Sequence, residues 1–368
     1  MPLIDLIAGA RPNFVKIASI IEAIKEAQAR GSDLRYRLVH TGQHYDRSLS
    51  GSFFKDLGIP SPGVNLEAGS GTQAEQTGAI MVRYEKLLTA SSSDLTLVVG
   101  DVNSTIACAI VARKLGIPVA HVEAGIRSGD WTMPEEINRV VTDSISNWFF
   151  TTSEWAGENL RRSGVDVSRI FFVGNTMVDT LLRHLPRLRP PSCWTEHNLA
   201  RGHYFVLTLH RPSNVDERSH LLETVREVAT GAQGGLVIFP IHPRTRKVLG
   251  ESVQGELPEN LILVEPLRYL EFNFLVKNAK AVITDSGGIT EETTVLGVPC
   301  LTLRDSTERP ETVSIGTNEL VGSDPGRIKP ALARVIKGLW KKGSIPALWD
   351  GNAGHRIVGV LENLRTLI

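Results

Sequence analysis

The stretch Ala281–Leu296, AVITDSGGITEETTVL, decides the fold. A β-branched apolar run ends at Asp285-Ser286, two glycines follow, and a helix begins. A strand passing through a glycine turn into a helix is the repeating unit of a parallel sheet with helices on both faces. The glycines allow close backbone approach, and the helix start offers N–H donors and a positive dipole end to an anion. The plainer reading is a helix cap at Ser286, with the glycines serving only the turn.

The same rhythm runs outward in both directions. Before it lie the strand-like runs YFVLTLH from Tyr204, GLVIFPIH from Gly235 and LILVEP from Leu261, and after it VPCLTL from Val298. The first half repeats the pattern with LIDLIA from Leu3, LRYRLVH from Leu34, LTLVVG from Leu95, IPVAHVE from Ile117, NWFFTT from Asn147 and IFFVG from Ile170. Helical spacing connects them. Phe14 to Ala29 carries Ile17, Ile20, Ile21 and Ile24, and further patterns cover Ala74–Thr89 and Ser104–Leu115. Gly116 and Pro118 end the last of these. Between the halves, Leu185–Arg201 has three prolines in LPRLRPPSC and no periodicity, which suits a boundary. The expectation is α/β: two domains of parallel sheet with helices on both faces, 1–185 and 186–350, with a final amphipathic helix within 351–368.

Composition narrows the function classes. Forty basic and forty acidic residues leave no net charge, which argues against a strong positive field for nucleic acid or an anionic membrane. No apolar run reaches the roughly 18–20 residues of a membrane span. The start lacks a basic region before its apolar stretch, so it reads as a first strand and not a signal peptide. Cys108, Cys193 and Cys300 show no metal or disulfide spacing, which fits a reducing, cytoplasmic setting. His40 and His44 sit on a strand-to-loop segment, so no metal is expected. No nucleotide-hydrolysis or dinucleotide glycine motif and no serine elbow occurs.

In open parallel sheets, ligands bind beyond the carboxyl ends of the strands. Those ends carry Gly9-Ala10-Arg11-Pro12 with Lys16 one turn on, Thr41-Gly42-Gln43-His44, Gly100-Asp101 and Glu123 through Arg127. The second half adds His210-Arg211-Pro212, His242-Pro243-Arg244 and Asp285 to Gly288. Asp101, Glu123, Glu135 and His210 are the acid–base candidates. Asp101 and Glu123 follow neighbouring strands, so both carboxylates can face one pocket. Glu135 has a second reading, because acidic residues favour helix starts in any case. Ser286, Gly287 and Gly288 form the candidate phosphate turn. Glu292 lies one turn on, in reach of ribose hydroxyls, and Arg11, Lys16 and Arg309 are candidate cations.

The strings GARPNFVK, TGQHYD, GDVNST, HVEAGIRSGDWTMPEEINR, GNTMVD, LHRPSNVD, TDSGGITEE and RDSTERPE resemble, in order, those of the non-hydrolysing UDP-N-acetylglucosamine 2-epimerases. The resemblance implies a glycosyltransferase-B-like fold, with two Rossmann-like domains facing across a cleft and the last helix packing back on the first. It implies reversible inversion at C2 of a UDP-linked 2-acetamido sugar, with no cofactor and no metal, in a cytoplasmic homodimer. Carried over by position, it gives catalytic roles to Asp101, Glu123, Glu135 and His210. It puts substrate contacts on Arg11, Phe272, Ser286, Gly287, Gly288, Glu292 and Arg309, with Lys16 beside them, and His242, after its strand end, is a further substrate-binding candidate.

The chain departs from the commoner family strings. GARPN replaces GTRPE, GDVNST replaces GDTTTT, and Leu267 follows Glu265-Pro266 where a polar residue is frequent. Gln43 is present, but Ala68–Gln73 lacks the basic residue associated with an activating second UDP-sugar in some bacterial members. Related enzymes act on UDP-2,3-diacetamido uronic acid sugars, and some of these differences lean that way. A glycosyltransferase on the same fold, a hydrolysing epimerase and a non-catalytic UDP-sugar-binding protein are the rival readings. Residue 300, eight beyond Glu292, is cysteine, so the glycosyltransferase Glu-x7-Glu pattern is absent.

Overall fold

The computed structural model describes residues 2–42, 54–250 and 257–364; Gln43 and His44 lie outside them. The chain forms two compact units. One comprises Met1–Arg183 with Ala347–Ile368, and the other His184–Pro346.

The first unit holds a seven-stranded parallel sheet: β1 Leu3–Ala8, β2 Arg35–His40, β3 Val64–Asn65, β4 Leu95–Val99, β5 Val119–Val122, β6 Trp148–Thr151 and β7 Ile170–Phe172. Their spatial order is β3-β2-β1-β4-β5-β6-β7. Both faces of the sheet are covered, so its central strands run apolar without alternation; all five residues of β4 are buried. The order reverses between β1 and β4, and the crevice at such a switch point is where open α/β sheets bind ligands. Asn13, in the helix Arg11–Ala29, ties the two strand ends together. Its Oδ1 accepts the Ala10 N–H at 3.0 Å, and its Nδ2 donates to the Val99 carbonyl at 2.9 Å.

The chain end belongs to this unit. Helix Ala353–Asn363 lies against helix Arg11–Ala29, where Gly354 is required because a Cβ there would meet the Ser19 carbonyl oxygen at 2.6 Å. The Gly354 N–H donates to Asp179 at 2.7 Å, and Trp349, fully buried, donates to the Thr152 carbonyl at 3.0 Å.

The second unit repeats the plan with β8 Tyr204–Thr208, β9 Leu236–Pro240, β10 Leu261–Val264, β11 Ala281–Thr284, β12 Cys300–Thr302 and β13 Asn318–Leu320. All pairs are parallel, in the order β10-β9-β8-β11-β12-β13. Here the switch point falls between β8 and β11, which pair from Ala281 with Phe205 to Thr284 with Thr208. Phe205, Leu207, Val237, Phe239, Ile283 and Leu301 anchor the core on one face of the sheet.

Candidate active site

In the first unit the ends of β4 and β5 gather the acid–base candidates. Glu123 follows β5 with φ 66°, a left-handed backbone that a glutamate adopts at a cost. Its carboxylate is buried and takes a 2.6 Å hydrogen bond from the Lys16 ammonium, itself buried. Lys16, grouped by sequence with the nucleotide contacts, thus belongs to the carboxylate cluster. Gly100, at φ 71°, turns the chain after β4; a Cβ there would sit 3.2 Å from Lys16 Nζ.

Asp101 is part-exposed and held by one guanidinium. Arg139 donates to its Oδ2 from Nε at 2.9 Å and Nη2 at 2.6 Å, and Asn138 donates to the Asp101 carbonyl at 2.8 Å. Arg139 is oriented in turn by Glu136, at 2.7 Å. Glu136 is buried and also accepts the Ser128 and Gly129 N–H groups. Burial works against its charge, yet Ser128, Arg139 and Gly129 together hold its carboxyl below the usual range. Of the two glutamates opening the helix Pro134–Ile145, Glu135 is half-buried, and Glu136 does the anchoring. The sequence reading missed Glu136 and Arg139. Their i,i+3 spacing in PEEINR was the available signal.

In the second unit, Asp285 and His210 follow the two central strands. The Asp285 carboxylate is fully buried and accepts the N–H groups of His210 and Arg211 (3.1 and 2.9 Å) and the Asn214 amide (3.1 Å). The His210 Nδ1 lies 2.8 Å from its Oδ1. Burial opposes the charge, but the His210 ring, the Arg211 N–H and the Asn214 amide keep this carboxyl below its ordinary value. An ionised Asp285 makes Nδ1 the donor and fixes the tautomer, so Nε2 is the nitrogen left for proton transfer or for hydrogen bonding to an anion. The histidine side chain is 49% exposed, so that nitrogen can be reached.

The helix Gly287–Leu296 starts directly after this loop. Ser286 makes no side-chain cap; its own N–H donates to Thr284 Oγ1 at 3.0 Å. The capping reading of Ser286 therefore fails, and the helix start keeps its capacity for an anion. Glu308 lies close by, 3.8 Å from where a Gly287 Cβ would stand. Its charge is met by the buried Arg304, through two hydrogen bonds of 2.7 Å, and by Arg211 at 3.5 Å. Arg309, expected to balance phosphate charge, is buried and ion-paired with Glu291. Phe272 packs, partly buried, against the apolar cluster around Leu275 and Val276. His242 is exposed after β9, and Arg11 is exposed at its helix start. Among the described residues, no group of three or more His, Cys, Asp or Glu could hold a metal ion.

The profile of the UDP-N-acetylglucosamine 2-epimerase family matches residues 25–362. The UDP-N-acetylglucosamine 2-epimerase of Methanocaldococcus jannaschii is 42% identical over 97% of this chain and 98% of its own length.

The chain belongs to this epimerase family.

A crystal structure of the M. jannaschii UDP-GlcNAc 2-epimerase in complex with UDP-GlcNAc and UDP matches with a TM-score of 0.87 at 41% identity, over 98% of this chain and 99% of that one. The UDP-2,3-diacetamido-2,3-dideoxy-D-glucuronate 2-epimerase of Pseudomonas aeruginosa is 39% identical over 97% of this chain and 99% of its own length. The α/β fold read from the strand–turn–helix rhythm, and the epimerase-type fold that the resemblance implied, are thereby established. No described helix is long and apolar enough to cross a membrane.

One residue of this epimerase-family chain has an unusual titration. Glu292 is buried, receives the Asn273 amide at 3.3 Å and adjoins Glu291 and Tyr269. Burial, with the neighbouring Glu291 charge, pushes its pKa up to about 7. A carboxyl raised in the fold binds its proton more tightly there than in the unfolded chain, so stability is highest below the unfolded value and falls as pH rises toward 7. Glu292→Gln should remove this loss. Wild type should lose about 3 kcal/mol more than the variant between pH 4.5 and 7.5 in urea unfolding. Parallel stability–pH curves for the two proteins would contradict the burial argument.

Proposed function

We propose that this chain is a non-hydrolysing 2-epimerase of a UDP-linked 2-acetamido sugar, of the UDP-GlcNAc to UDP-ManNAc type. The observation that carries the reading is the pair of carboxylates at the ends of β4 and β5, each held by its own cation: Glu123 by Lys16 and Asp101 by Arg139. Two carboxylates with separate partners suit proton removal from one face of a carbon and delivery to the other.

The C2 proton of an N-acetyl sugar is too weakly acidic for a carboxylate to remove unaided. The reaction therefore couples its loss to departure of UDP from C1. The C2–H electron pair forms the C1–C2 double bond of a 2-acetamidoglucal, and the C1–O pair leaves with UDP. Protonation at C2 on the other face and return of UDP to C1 complete the inversion. Asp101 and Glu123 are assigned as the C2 acid–base pair, with Glu135 as a third carboxylate. His210, oriented by Asp285, assists the leaving phosphate, and the Ser286–Gly288 turn retains UDP between steps. Arg11, Lys16, His242, Phe272, Glu292 and Arg309 complete the proposed substrate-binding set. Within that set, Lys16 and Arg309 act through the carboxylates they hold. The enzyme is proposed to work in the cytoplasm as a homodimer.

The diacetamido-uronate sugar is the second reading, favoured by the P. aeruginosa relative. An NMR assay of the anomeric region with a panel of UDP-sugars separates the two. Conversion of UDP-GlcNAc to its C2 epimer supports the first. Conversion of the 2,3-diacetamido uronate alone supports the second, and release of free sugar and UDP contradicts both.

A further inference from the structure

His121 lies within β5 and is fully buried, yet the acid–base scheme above gives it no part. Its Nε2 is 2.9 Å from the carbonyl oxygen of Gly100, and its Nδ1 is 2.7 Å from Asp143 Oδ1. A carbonyl oxygen offers only lone pairs, so Nε2 carries a hydrogen. The other side is equally constrained. Asp143 accepts the Gly125 N–H at 3.0 Å and an Arg127 Nη1 at 2.6 Å through its second oxygen. A bare Nδ1 facing that carboxylate at 2.7 Å would set lone pair against lone pair.

We infer that His121 is an imidazolium donating from both ring nitrogens, and that it is a positioning residue fixing the Gly100–Asp101 turn against the Gly125–Arg127 loop. Burial opposes the charge of the Asp143 carboxyl, but His121 and Arg127 hold it below its ordinary value. Gly125 lets the loop pack closely against the next helix, because at φ 78° a Cβ there would stand 2.1 Å from the Ala156 carbonyl oxygen. One buried carboxylate thus ties a histidine of β5, the backbone of the loop after it and an arginine beyond. Through His121 it reaches the turn that presents Asp101, beside the Lys16–Glu123 pair. Sequence reading passes over His121 because, within IPVAHVE, a lone histidine in an apolar strand looks like a core residue.

The catalytic half of this inference rests on the epimerase reading; the protonation half does not. The test uses the full chain with 15N-labelled histidine at neutral pH, the His121 ring being assigned by through-bond correlation to its own backbone in the wild-type protein. Both ring nitrogens should show a bound proton. A single protonated nitrogen would overturn the inference whether or not the chain is an epimerase. His121→Gln keeps one amide donor for Gly100 and removes the second cation-type donor to Asp143. It should lower kcat by about 10- to 100-fold, as expected for misplaced catalytic groups, with KM within twofold and calorimetric UDP affinity unchanged. An unchanged kcat, or equal losses in kcat and UDP affinity, would overturn the positioning role. If the variant does not fold, the wild-type ring spectrum still decides the protonation state. Absence of turnover in the wild type would count against the epimerase reading instead.

Discussion

Glu123→Gln and Asp101→Asn should each lower turnover by about 10²–10⁴-fold, the range for a lost general acid or base, while calorimetric affinity for UDP stays near wild type. The two substitutions preserve shape and remove the carboxylate charge together with its ability to exchange a proton. In Glu123→Gln the amide oxygen can still accept from Lys16, whose ammonium now lies 2.6 Å from the carboxylate. The left-handed backbone at residue 123 is unchanged, since glutamine meets the same steric limits. In Asp101→Asn the side-chain oxygen can still face the Arg139 Nε and Nη2 donors. UDP is assigned to the Ser286–Gly288 turn, in the other compact unit, so its affinity reports on a separate part of the chain. Near-normal turnover in both variants would remove these residues from the chemistry. Loss of UDP affinity in step with turnover would mean that they bind and do not transfer protons.

Lys16→Met should be among the most destabilising single changes in the first unit, by about 3–5 kcal/mol, the range for breaking one partner out of a buried ion pair. Both groups of this pair are almost fully shielded, with side-chain exposures of 9% for Lys16 and 2% for Glu123. Methionine fills most of the lysine's volume, so the cost falls on the buried carboxylate and not on packing. The double variant Lys16→Met with Glu123→Gln should recover most of the loss, because the amide needs no counter-charge. Urea unfolding of the four proteins of this cycle gives the coupling directly. A loss below about 1 kcal/mol for Lys16→Met, the size of an exposed pair, would mean that water reaches the site and that the pair does not hold Glu123.

The fold was legible in the sequence because parallel strands covered on both faces are written as unbroken β-branched runs. LTLVV of β4 and AVIT of β11 are buried at every position. The strands that escaped notice are β3 and β13, two and three residues long, with Asn65 and Asn318 among them. Runs that short carry no periodicity. Helix Arg11–Ala29 starts three residues before the apolar pattern does, since Arg-Pro reads as a turn, although proline fits a first helical turn well.

Within the candidate site, Asp101, Glu123, His210 and Ser286 could be picked out because they follow strand ends, and strand ends are visible locally. Their partners could not be found in the same way. Lys16 meets Glu123 across 107 positions, and Asp285 meets His210 across 75. Such pairings exist only once the sheet order sets β1, β4 and β5 side by side, and β8 beside β11. Arg309 illustrates the converse. Its charge was read as available to phosphate because nothing local announces Glu291 as its partner.

The central claim is that the C2–H bond is broken and remade while UDP leaves and returns. It is tested most directly by running the reaction in deuterated water with the preferred UDP-sugar and following C2 by NMR. The account predicts that the epimerised product carries deuterium at C2, with the anomeric configuration retained and UDP recaptured. Epimerised product with hydrogen still at C2 would contradict it.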